Sequence, residues 1–78
     1  MINWTKTKDN KWIIKSNNKT TTVDNIKSLT AWTMAFNKNV TIDEIEIALV
    51  EMNRNDHDYC EFGIYGRFTI SKRASYDH

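Results

Sequence analysis

The sequence has no proline, two glycines and one cysteine. Each shortage excludes something. Cys60 cannot close an internal disulfide, and small secreted domains commonly depend on several, so a reducing, cytoplasmic setting is expected. No run approaches the ~20 apolar residues that span a bilayer, and no membrane association is expected. The opening Met1-Ile2-Asn3-Trp4-Thr5-Lys6 lacks the basic-then-apolar order of a signal peptide. Without secretion, Asn-x-Thr triplets such as those at Asn18 and Asn39 have no meaning as glycosylation sites. No Gly-rich phosphate loop or nucleophile elbow is present, nor any repeat, linker or low-complexity tract.

What is there suits one small folded domain. The chain has 78 residues, 40% hydrophobic and 27% charged, with three Trp, three Tyr and three Phe to fill a core. Residues 1–73 are expected to form the domain and 74–78 a frayed tail. The net charge of +1 is unevenly spread. Residues 1–39 carry seven Lys against two Asp, a balance of +5, and residues 40–78 carry four basic against eight acidic groups, a balance of −4. Such a chain can be dipolar when folded.

Alternation predicts a hairpin over the first sixteen residues, with Ile2, Trp4, Trp12 and Ile14 on one face and Lys8-Asp9-Asn10 in the turn. After a second turn at Asn17-Asn18-Lys19, the β-branched run Thr20–Val23 reads as a short edge strand. Asp24 is the expected N-cap of a first helix that buries Ile26, Leu29, Trp32 or Thr33, and Phe36, and ends on a left-handed Asn near 37–39. A second helix begins at the capping box Thr41/Glu44, with Val40 and Ile45 as hydrophobic staple, and buries Ile42, Ile45, Leu49 and Met52. Cys60, Phe62, Ile64, Phe68 and Ile70 then share one parity, either as a hairpin turning at Tyr65-Gly66 or as one long strand bent at Gly66; unbroken parity favours the long strand. The predicted fold is α+β, an antiparallel sheet of three to four strands with two helices on one face, in the order β-β-(β)-α-α-β.

Few groups could carry chemistry. His57-x-x-Cys60, with Asp58 and Glu61 beside it, is half of a zinc site at most, unless Asp77-His78 returns to complete it. As a nucleophilic pair, His57 and Cys60 would point to opposite faces of a strand. No catalytic residue, metal or cofactor is expected. Two binding surfaces remain. The second helix carries an acidic ridge with apolar neighbours, Asp43, Glu46, Ile47, Val50 and Glu51, suited to a protein partner. The hairpin carries Lys8, Lys11, Trp12 and Lys15, which could follow a phosphate backbone and stack a base. Its half of the chain has no Arg for bidentate base contacts, and edge lysines also block aggregation. The oligomeric state is open.

A chain under a hundred residues, rich in Asn, Lys, Ile and Thr and without a catalytic motif, resembles the small accessory proteins of tailed bacteriophages. The resemblance covers the whole chain and rests on composition. It implies a protein that binds and blocks a bacterial host factor, such as a defence nuclease or an RNA polymerase component, and assigns no residue a role.

Overall fold

The N-terminal hairpin forms where alternation predicts it. In the computed structural model, which describes residues 1–73, β1 (Ile2–Lys6) and β2 (Trp12–Ser16) pair antiparallel, Trp4 opposite Ile14 and Lys6 opposite Trp12. The predicted tail, 74–78, lies outside the described residues. Asn10 turns the chain at φ 63°, and the Thr7 N–H donates to the Lys11 carbonyl at 2.8 Å. Asn17, at φ 32°, makes the second turn, and β3 (Lys19–Val23) then pairs with β2 at the sheet edge.

The C-terminal segment is a hairpin, not one bent strand. β4 (Tyr59–Phe62) and β5 (Phe68–Ser71) run antiparallel, with Cys60 opposite Ile70 and Phe62 opposite Phe68. Opposite residues in a hairpin share a face, and here each facing pair is separated by an even number of positions. Parity therefore reads the same for both arrangements. Gly66 decides between them: at φ 87° it closes the turn, its N–H donating to the Gly63 carbonyl at 3.0 Å. The sheet consequently has five strands, in the order β3-β2-β1-β4-β5, rather than three or four. Two helices lie on one face, α1 (Ile26–Phe36) over β2 and α2 (Ile42–Arg54) over β4 and β5.

Trp4 sits at the centre of the core. It meets Trp12 and Phe62 edge-on, with ring centroids at 5.5 and 4.9 Å, contacts each worth about 0.5–1.5 kcal/mol beyond area burial. Its indole N–H donates to Thr33 Oγ1 at 2.8 Å, and the Thr33 hydroxyl in turn donates to the Leu29 carbonyl at 2.6 Å. That relay sets the phase of α1. Positions 29 and 33 stack one turn apart toward the sheet, so Leu29 and Thr33 are buried while Trp32 lies on the flank, 42% exposed, its ring against Phe36.

Four residues predicted for the core are therefore exposed: Ile26 and Ile42 at the first positions of their helices, Trp32 on the flank, and Ile64 in the β4–β5 turn. Phe36, Leu49, Phe68 and Ile70 are half-buried against the core, and Ile2, Val40, Ala48 and Cys60 complete it.

Two helix ends differ from expectation. The cap of α1 is Asn25, whose Oδ1 accepts from the Ser28 N–H at 2.7 Å; Asp24 instead accepts from the Asn25 amide at 3.0 Å. The closing Asn37 is extended, at φ −139°, rather than left-handed. Its Nδ2 donates to the Gly63 carbonyl at 3.0 Å, and Asn39 Nδ2 donates to the Ile64 carbonyl at 2.7 Å. These bonds clasp the α1–α2 loop to the β4–β5 turn, so closely that a Cβ on Gly66 would lie 2.3 Å from the Asn39 oxygen.

α2 begins at the predicted cap, with Thr41 Oγ1 accepting from the Glu44 N–H at 3.2 Å and both staple residues buried. It ends in a Schellman turn. Asp56 is left-handed at φ 54°, and the His57 N–H reaches back to the Met52 carbonyl at 2.9 Å.

Candidate acidic-apolar docking ridge

Burying Ile45, Ala48 and Met52 turns the opposite side of α2 outward. Asp43, Glu46, Ile47, Val50 and Glu51 recur at three- and four-residue spacing, so the helix brings all five predicted docking residues to one face. Ile47 is 51% and Val50 56% exposed, and with Glu46 and Glu51 they line a shallow depression of about 250 Å³. Arg54 pairs with Glu51 at 3.3 Å. Among the described residues no ion pair engages Asp43 or Glu46, so the negative charge of the ridge is concentrated toward the N-terminal half of the helix.

The hairpin residues do not assemble in the same way. Trp12 is 6% exposed and packed against Trp4, which leaves no ring face for a base. Lys6 lies over the Trp12 ring at 5.6 Å on the helix side of the sheet. Lys15 occupies the open side, in one cross-strand row with Thr20, Asn3 and Glu61. Lys11 is 3.8 Å from Asp9, whose carboxyl is held below its ordinary range chiefly by the Thr7 hydroxyl and by its own backbone N–H. Lys8 belongs to the exposed turn. The lysines and the tryptophan thus divide between the two faces and the tip.

Among the described residues no group of three or more His, Cys, Asp or Glu could hold a metal ion; Asp77 and His78 lie outside them. Cys60 is fully buried beneath α2, and burial pushes its thiol up to about 12, with the Glu44 and Glu61 charges adding to the effect. It is a core residue in its setting. Among the described residues no helix is long and apolar enough to cross a membrane.

A cleft of about 400 Å³ opens where the β1–β2 turn meets the start of α1 and the end of α2. Trp12, Ile26 and Met52 contribute its apolar wall; Lys6, His57 and Asp58 contribute polar groups of both signs. The His57 Nδ1 is buried and without a hydrogen-bond partner, so it is closed off from the cleft as well as from water. No spacing in the sequence announces this cleft, because three distant segments build it. Alternation and helical period read Trp32 and Ile64 as core, and both are exposed.

No known family model matches the chain, and neither a curated protein nor a solved structure shows significant similarity to it.

Proposed function

We propose that this chain is a non-catalytic protein-binding module whose principal contact is the outward face of α2. The observation that carries the reading is the convergence of Ile47 and Val50, both more than half exposed, with Asp43, Glu46 and Glu51 on a single capped helix. Carboxylates steer encounter with a basic partner, and the two apolar side chains supply a patch that gains by desolvation. A helix fixed by a Thr41 cap and a buried inner face presents that patch with little entropy left to lose. The partner is a protein of a bacterial host, the contact blocks it, and the work is done in the cytoplasm without a cofactor, as the resemblance to phage accessory proteins implies. Nucleic-acid binding by the hairpin is the competing reading.

A pull-down from bacterial lysate, with and without nuclease, separates the two. The proposal expects a protein that survives nuclease treatment and is lost when Asp43, Glu46 and Glu51 are all changed to Lys. Nucleic acid in the eluate, lost when Lys8, Lys11 and Lys15 are changed to Gln, would overturn it.

A further inference from the structure

The two edges of the sheet are not alike. β5 is four residues long, is followed at once by Lys72 and Arg73, and has α2 packed against it. β3 makes five consecutive pairs with β2 and has no bulge, no proline and one charge, Lys19, at its very start. Its outward N–H and C=O groups are of the kind that proteins usually guard, because an unguarded edge templates a further strand.

A second feature lies on the same side. Ser28 of α1 shares a shallow depression with Thr22 and Val23 of β3, which shows which flank of the helix overlooks the edge. Trp32 and Ala35 follow Ser28 at four and seven residues, so they continue that flank. With Ala31 they line an almost wholly apolar depression of about 270 Å³. A half-exposed tryptophan therefore stands beside a vacant strand position.

We infer that the β3 edge pairs with a second copy of this chain, antiparallel about a two-fold axis through Thr21, with Trp32 closing the seam above it. The strand is complementary to itself in this register. Thr21 faces Thr21 of the second copy and Thr20 faces Thr22, pairs whose hydroxyls can hydrogen-bond, and no like charges stand opposite. Lys19 faces Val23 of the second copy, so its charge meets no other cation across the seam. The spacing also accounts for the tryptophan. With α1 over β2 in each copy, the two helices stand three strand separations apart, about 14 Å. Directly packed helices are about 8–10 Å apart, so alanines alone would leave the seam open and two tryptophans can fill it. The pairing continues one sheet through ten strands and leaves both α2 ridges free, so each dimer offers the proposed docking face twice.

Sedimentation and Trp fluorescence across micromolar to millimolar concentration test this. Trp4 and Trp12 are already buried, so a concentration-dependent blue shift reports Trp32. The mass should rise from one chain to two together with that shift. Thr21→Lys, which sets two charges against each other on the axis, should weaken dimerisation at least ~10-fold. Trp32→Ala, a truncation of a side chain exposed in the monomer, should do likewise while leaving the fold intact. Changing Asp43, Glu46 and Glu51 to Lys should leave the dimer unchanged, which keeps this test separate from that of the docking ridge. A monomer at every concentration would overturn the inference. So would a dimer that tolerates both Thr21→Lys and Trp32→Ala, or one abolished by Ile47→Lys.

Discussion

The two helices bind the same sheet by different means. α2 buries three apolar residues, Ile45, Ala48 and Met52, and turns a charged face to solvent. α1 buries one apolar residue, Leu29, and one hydroxyl, Thr33, and leaves Ile26 and Trp32 half exposed. Hydrophobic period sets the first arrangement; a single hydrogen bond sets the second. A buried indole N–H needs an acceptor, and one left without it costs about 1–3 kcal/mol, comparable to the gain from burying one more large side chain. Trp4 finds that acceptor at Thr33, and Trp32 gives up the core position.

The comparison can be broken most forcefully at Ile45. Ile45→Ala should cost about 2–5 kcal/mol in urea unfolding, a large share of what a domain of this size can hold. A loss below 1 kcal/mol would mean that α2 does not depend on apolar burial. The sheet beneath α2 offers a pH test of comparable size. In the unfolded chain the Cys60 thiol ionises near its ordinary value of 9.0, and in the folded chain near about 12. Between those values the folded state holds the extra proton, so stability is full below the lower pKa and falls as pH rises toward the upper one. Cys60→Ala should remove that part of the alkaline loss, on the order of a few kcal/mol, when unfolding midpoints near pH 8 and pH 11 are compared. An unchanged alkaline slope would place the thiol in water.

For α1 the decisive pair is Thr33→Val and Trp32→Ala. The first keeps shape but removes the acceptor and should cost about 1–3 kcal/mol. The second, measured at a concentration where the chain is monomeric, should cost less than the first. The reverse order would return Trp32 to the core. The caps give the smallest contrast: Thr41→Ala and Asn25→Ala should each cost about 1 kcal/mol by thermal unfolding, since each removes one acceptor from a helix start.

Local chemistry made much of this legible. The hairpin follows from alternating Ile2, Trp4, Trp12 and Ile14, and the start of α2 from Thr41 and Glu44 three residues apart. The docking residues fell on one face because helical period is a local property. What escaped the sequence was non-local. Asn37 closes α1, but in an extended rather than a left-handed conformation, and its side chain reaches 26 residues along the chain to the turn at Gly63. Asp24 and Asn25 are both competent caps, and one hydrogen bond between them chooses Asn25. Parity could not separate a long strand from a hairpin whose facing residues are evenly spaced.

The claim that α2 carries the function is tested most directly by association kinetics with the protein that survives nuclease in the pull-down. Immobilised wild-type chain is compared with the Asp43, Glu46 and Glu51 to Lys variant and with the Lys8, Lys11 and Lys15 to Gln variant, each confirmed folded by circular dichroism. The account predicts that the acidic variant associates at least ~10-fold more slowly and loses its salt dependence, while the lysine variant stays near wild type. A lysine variant that fails to bind, beside an acidic variant that binds normally, would contradict it.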